Sequence, residues 1–315
     1  MTDVEVSHSS VATSATAANS LYLIDASIYI FRAYFTVSDT VTDNLGEPFN
    51  AVYGYGHFLC DVLEQTSAEY VGVAFDESLT TSFRNDLYPA YKANRELPPA
   101  ELVTQFEQCK ALTEAVGLSV FSSQRYEADD LIGTIAHRMR NAMQMIIVSA
   151  DKDLTQILDL DDLLWDFSRN RRFRVTDVAS RFGVTPGQIP DYLALAGDPV
   201  DNIPGVAGIG PKTAARLLAS FGDLDGIYRN IDAVAELGFR GARRASCKLR
   251  EGRERVYLWR RLATVAVDAP IQVSMQRLRR RPVESSKVDS LLNLVRPGRL
   301  HGRIMRMSEN DSKQV

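Results

Sequence analysis

Short apolar runs alternate with longer amphipathic stretches over the first two-thirds of the chain, and three of those runs end on an aspartate. Residues 21–24 lead into Asp25, residues 71–75 into Asp76, and residues 145–148, through Ser149 and Ala150, into Asp151. Runs this short and this uniformly apolar read as strands buried on both faces, as in a parallel sheet. Further strands are expected at 118–121 and 163–167. Between them the helical period predicts helices over about 51–63 and 99–116. Another should open at Glu127 and turn Leu131, Ile132, Ile135, Ala136 and Met139 inward. The alternation predicts an α/β fold with a mostly parallel central sheet flanked by helices. Such sheets bind ligands at the carboxyl ends of their strands, where these aspartates fall.

From Thr185 the pattern becomes helical, with segments at 190–196, 211–220 and 243–263, and glycines punctuate 204–213. This divides the chain into a core over 20–184 and a helical subdomain over 185–275. The first 19 residues, rich in Ser, Ala and Thr, read as a disordered tail. Residues 276–315 read as a basic, partly disordered one. Residues 77–99 are too long for an ordinary connection and interleave basic with aromatic side chains, which marks them as functional.

Composition changes this picture little. The 315 residues are 45% hydrophobic and 24% charged, and no apolar run is long enough to cross a bilayer. Three cysteines without metal-like spacing read as free thiols in a reducing cytoplasm, and four scattered histidines argue against zinc or a histidine triad. The net charge of −4 is unevenly spread: arginines and lysines crowd 240–261 and again 277–281.

The acidic residues carry the candidate chemistry. Asp25, Asp76 and Asp151 stand at strand ends, with Asp153 two residues on. Glu127 and Asp130 share a face at a helix start with Asp129 beside them, and Asp198 and Asp201 repeat the spacing. Oxygen-only donors favour Mg²⁺, with Mn²⁺ as substitute. This many carboxylates in one crevice need cations to offset their repulsion, and two ions suit phosphodiester hydrolysis. In 77–99, a helix would project Lys92 and Arg95 together with Arg84 further back, to clamp a phosphate. Tyr88 and Tyr91 would offer stacking faces to bases. Gly205, Gly208 and Gly210 allow a turn whose amides approach phosphate, with Lys212 and Thr213 following at the next helix start.

The strings YLIDAS, VAFD, SFRNDLYPAYKANR, YEADDLIGTIA, SADKDLTQIL and GDPVDNIPGVAGIGPKTAARLL closely resemble the 5′-nuclease (flap endonuclease) superfamily. The bacterial branch, which includes the 5′–3′ exonuclease domain of DNA polymerase I and stand-alone relatives, fits best. The resemblance spans about residues 20–270. It implies a PIN-like nuclease core with a helical arch over 77–99 and a helix–three-turn–helix subdomain. It places a first metal at Asp25, Asp76, Glu127 and Asp129, with Asp130 close by. A second falls at Asp129, Asp151, Asp153 and Asp201, with Asp198 in support. Lys92 matches the arch lysine that contacts the scissile phosphate, and Arg84 and Arg95 match accessory basic positions. The 205–213 hairpin, Ile209 included, matches the duplex-gripping element, which can hold K⁺ on backbone carbonyls.

Ala26 and Phe49 depart from the family's usual glycine and threonine, while every acidic position and the arch lysine are kept. The implied protein is a cytoplasmic, monomeric 5′–3′ exonuclease and flap endonuclease of replication and repair. It would act on 5′-flap, nicked or branched DNA with two Mg²⁺. The alternatives are a catalytically weak module that only recognises junction DNA, and a small ribonuclease.

Overall fold

In the computed structural model, residues 19–78, 80–292 and 299–312 are described. The expected disordered tail over 1–19 lies, but for Asn19, outside them. In chain order the elements are β1 (Ser20–Asp25), α1 (Ala26–Thr36), α2 (Asn50–Thr66), β2 (Tyr70–Asp76), α3 (Phe83–Leu87), α4 (Ala100–Ala115), β3 (Ser119–Ser123), α5 (Ala128–Met139), β4 (Gln144–Val148), β5 (Leu163–Asp166) and β6 (Arg171–Phe173). Helices α6 (Val175–Phe182), α7 (Ile189–Ala196), α8 (Pro211–Phe221), α9 (Leu224–Arg229), α10 (Ala242–Glu251), α11 (Arg253–Ala263), α12 (Met275–Leu278), α13 (Ser285–Leu292) and α14 (Arg299–Ser312) follow.

The strands form one sheet in the order β3-β2-β1-β4-β5-β6, parallel except for β6. The order reverses between β1 and β4, so the connections leave a crevice at the carboxyl ends of these two strands. Register fixes what stands there: Asp25 lies beside Ala74 of β2, and Ile24 beside Val148 of β4. Successive β1 residues serve opposite layers, as a period of two requires. Leu21 and Leu23 pack with Leu131, Ile135, Met145 and Ile147 on the α5 side, while Tyr22 and Ile24 pack with Val73, Tyr55, Leu59 and Leu112 on the α2 and α4 side.

The C-terminal stretch differs from the basic, partly disordered tail expected of it. Among its described residues, Val288, Leu292, Leu300, Ile304 and Met307 are buried in the α2/α4 layer. The basic run at 277–281 is tied to the sheet's opposite end. Arg277 lies 4.3 Å from the centre of the Phe121 ring, Arg281 donates to the Leu118 carbonyl at 3.1 Å, and Arg279 pairs with Glu69 at 3.0 Å. The apolar positions spaced three and four apart in 300–307 carried this outcome, but arginines on both sides hid it.

Candidate active site

The acidic positions gather at the strand ends through a chain of short contacts. Asp25, only 3% exposed, closes β1 and accepts from the Ser149 hydroxyl at 2.9 Å. The Ser149 oxygen in turn accepts the Asp151 amide at 3.0 Å, and Asp151 Oδ1 accepts the Asp153 amide at 2.8 Å. On the other flank Asp76 Oδ1 accepts the Ala128 amide at 2.7 Å, which joins β2 to the start of α5. Glu127 caps that helix. Asp201 arrives from the loop after α7, where Tyr91 donates its hydroxyl to Asp201 at 2.9 Å and to Glu127 at 3.2 Å.

Their protonation behaviour shows mutual repulsion. Burial, then the Asp76 charge, pushes Asp25 up to about 8. Burial, then Asp151, pushes Asp153 up to about 7. Asp129 is the hub: burial raises it well above the ordinary range, and Asp151, Asp25 and Asp76 all add to the effect. Asp76 and Asp201 are raised by burial too, partly offset by Lys92. Glu127 alone of this group is lowered, because Lys92 and Arg84 outweigh the effect of its burial.

The donor set fits a hard divalent cation: it is all oxygen, and the buried Asp25 Oδ1 and Asp153 Oδ1 have no hydrogen-bond partner. Lys152 stands 3.1 Å from that Asp153 oxygen as an ion-pair neighbour. Among the described residues, no group of three or more acidic, histidine or cysteine side chains is arranged to hold an ion as it stands. Lysine and arginine supply the positive charge here. Lys92 Nζ is 2.7 Å from Glu127 and 3.8 Å from Asp201, and Arg95 is 2.8 Å from Asp201.

This crowding makes stability depend on pH. A carboxylate whose folded pKa is raised favours folding fully below its unfolded pKa, near 4, and loses that contribution as pH rises through the folded value. With Asp25 at about 8 and Asp153 at about 7, metal-free protein should weaken between pH 4 and pH 8. The slope should be at most about 1.4 kcal/mol per pH unit for each group. Mg²⁺ should therefore raise the melting temperature more at pH 8 than at pH 6. Thermal melts with Mg²⁺ or with chelator at both pH values check this; equal gains would contradict it.

Several expected site residues have other employment. Asp130 is fully buried, and both its oxygens accept from Arg84 at 2.7 Å. They also accept the Glu127 amide at 3.0 Å and the Ala266 amide at 2.8 Å, so Asp130 closes the α5 cap and has no lone pair free for a metal. Arg84, 3% exposed, also donates to the Leu262 and Thr264 carbonyls, both at 2.8 Å, and its Nη1 stands 3.7 Å from Glu127. It fastens α11 to the core and does not face a substrate. The helical arch expected over 77–99 is a five-residue helix, α3, followed by turns, with Lys92 at a φ of 54°. Pro89 ends the helix, so the face that would have aligned Arg84 with Lys92 and Arg95 never forms.

Tyr91 is 3% exposed, so it positions carboxylates and offers no stacking face, while Tyr88 packs edge-on against Trp259. Asp198 pairs with Lys152 at 2.7 Å and accepts the Val200 amide at 3.0 Å, shaping the loop that carries Asp201. That loop is stitched to the Lys92 segment: the Lys92 amide donates to the Asp201 carbonyl at 3.1 Å, and Asn94 to the Pro199 carbonyl at 2.9 Å. Lys92, Arg95, Asp76 and Glu127 line a cleft of about 580 Å³. Sequence reasoning missed Ser149, Ser27 and Lys152. Ser27 accepts the Asp76 amide at 3.0 Å. The signal for both serines was a small hydroxyl residue close to a strand-end aspartate.

The glycine hairpin takes a conformation its residue types require. At Gly205, φ is +67° and a Cβ would stand 2.4 Å from the Gly197 amide nitrogen, so any side chain is barred. Gly208 lies at the open tip with φ +89°, and Gly210 caps α8. Ile209 is 2% exposed; its side chain anchors the hairpin in the core. Lys212 is exposed beside the first turn of α8 and Thr213 is half-buried there.

Known proteins share both the sequence pattern and the fold. The family model for the 5′-3′ exonuclease N-terminal, resolvase-like domain matches residues 20–183, and that for the 5′-3′ exonuclease C-terminal SAM fold matches 184–286. The chain is 39% identical to DNA polymerase I of Pseudomonas aeruginosa over 82% of its own length and 28% of that protein's. Against the 5′-3′ exonuclease of Buchnera aphidicola it is 31% identical, covering 86% of this chain and 95% of the other. The chain thus spans under a third of the polymerases it matches, at 28%, 32% and 29% of the first three. Among solved structures, the T5 5′-exonuclease with bound zinc superposes with a TM-score of 0.62 at 21% identity, covering 92% of this chain and 98% of that one. The catalytic core of Rad2 in complex with DNA superposes at 0.61 and 13% identity, covering 90% of each. These structural likenesses establish the shared fold.

Proposed function

The chain belongs to the 5′-3′ exonuclease family, and on that premise we propose that it is a divalent-metal-dependent 5′ nuclease which hydrolyses DNA phosphodiesters at 5′ flaps, nicks and branched duplex. The observation that carries this reading is the set of mutually repelling, buried and half-buried carboxylates at the sheet's switch point, with Lys92 and Arg95 set against it. Asp25, Asp76, Glu127 and Asp129 would hold one Mg²⁺ or Mn²⁺. Asp129, Asp151, Asp153 and Asp201 would hold the other. When bound, such ions polarise a phosphodiester and the attacking water.

The chain's own residues do the rest. Lys92 is held at Glu127 and Asp201; released from them, its ammonium would meet the scissile phosphate as negative charge grows there. Tyr91 orients Glu127 and Asp201 by donating to both. The hairpin tip and the first turn of α8 present amides and Lys212 to the duplex backbone, which positions DNA without reading sequence. K⁺ on the hairpin carbonyls would strengthen that grip. The setting that fits is replication and repair in the cytoplasm, by a monomer; among the described residues no helix is long and apolar enough to cross a membrane.

A junction-binding module without catalysis is the second reading, favoured by the open arrangement of the carboxylates. One assay separates the two. Mg²⁺ should convert a bound, 5′-labelled flap into product, and Lys92→Ala should lower kcat about 10²-fold or more while leaving duplex affinity within a few-fold. Tight binding with no Mg²⁺-dependent product would establish the second reading.

A further inference from the structure

We propose that the corner between α10 and α11 is a second phosphate-binding surface that continues the hairpin's track along duplex DNA. The proposal rests on the nuclease reading. The structure divides the basic run of 240–261 into two groups. Arg250 pairs with Asp232, Arg260 pairs with Asp225 at 3.0 Å, and Arg253 lies 5.2 Å from the Tyr228 ring centre, so these three serve the subdomain's own packing. Arg240, Arg243, Arg244, Arg255 and Arg261 are exposed and make no hydrogen bond or ion pair among the described residues; Arg261 lines a different cleft, with Phe83 and Tyr126.

The placement of the second group points to an anion. The buried face of α10 is Ala242, Ala245, Ser246 and Leu249, which leaves its other side to cations. Arg244 and Lys248 are four apart on that side, and a like-charged pair at this spacing destabilises a helix unless something negative lies across it. Lys248 is satisfied by Glu251 at 2.8 Å, an exposed pair that a phosphate can displace at little cost. Lys248 and Arg255 also share one cleft of about 550 Å³ with Pro204, Gly205 and Ala207 of the hairpin. The amides that approach one phosphate and the guanidinium that would meet the next therefore border the same groove.

These residues act on positioning, so the test reads binding against turnover. Steady-state cleavage is measured for wild type, Arg255→Lys and the double variant Arg244→Ala/Arg255→Ala, on flaps whose duplex arm is shortened in steps. On long arms the double variant should raise KM about 10-fold with kcat within about twofold, and its log–log salt slope should be shallower by about 0.9 for each phosphate it no longer neutralises. Arg255→Lys should retain most of the affinity, because phosphate accepts either cation. The difference between variant and wild type should vanish once the arm no longer reaches α10. Unchanged KM and salt slope on long arms would overturn the proposal while leaving the nuclease reading intact. If wild type failed to cleave, that reading would fall, and anisotropy of the same duplexes in Ca²⁺ would still test the surface: equal affinities for wild type and double variant would refute it. All the substituted side chains are exposed, so equal melting temperatures are expected and guard against misfolding.

Discussion

Asp129→Asn should reduce flap cleavage by about 10³-fold or more at saturating Mg²⁺ and, in the same protein, raise the metal-free melting temperature by a few degrees. The two effects have one cause. Asp129 is the carboxylate that the others load most heavily: burial, Asp151, Asp25 and Asp76 all oppose its charge, and only Lys92 among its principal neighbours favours it. Asparagine keeps the shape and removes the charge, so the crowded cluster relaxes. The same substitution removes the negative charge and one of the two oxygens assigned to the metals, leaving a neutral amide oxygen that binds a divalent ion far more weakly, and cleavage goes with it. A variant that lost activity and stability together would indicate ordinary structural damage. One that kept activity would remove Asp129 from the centre of the site.

The largest stability effect should come from Arg84. Arg84→Ala is expected to cost about 3–5 kcal/mol in urea unfolding, because it leaves a fully buried aspartate charged and unpaired. Both Arg84–Asp130 hydrogen bonds are 2.7 Å long, and the same guanidinium holds the carbonyls of Leu262 and Thr264 at the end of α11. Adding Asp130→Asn to Arg84→Ala should recover part of the loss by removing the orphaned charge, though the carbonyls stay unsatisfied. Should Arg84→Ala unfold with wild type and lose only cleavage, the phosphate-clamping role read from the sequence would be restored.

That reversal shows where sequence reasoning reaches its limit. Strand ends and the aspartates on them are legible because apolar runs of fixed length end in one residue type, and a parallel sheet places all such ends on one edge. The Gly205 turn is legible because only glycine tolerates its backbone. Arg84 and Asp130 are not, since a charged residue in a functional segment looks the same whether it meets a ligand or a buried partner; the pair is 46 residues apart in sequence. Tyr91 fails for the same reason: a tyrosine among basic residues suggests base stacking until burial is known. The cations of 77–99 are spaced as a continuous helix would space them, although Pro89 stands in the middle and breaks it. In the C-terminal helices, a heavy arginine content masks an apolar stripe that only the α2/α4 layer makes visible.

Crystals of the protein soaked in Mn²⁺ and measured for anomalous scattering would test the central claim most directly. Two manganese peaks should appear at the carboxyl ends of β1, β2 and β4, sharing Asp129 between them, with Lys92 withdrawn from Glu127. An empty difference map there, or manganese bound only at surface carboxylates, would contradict the claim that these side chains form a divalent-metal site.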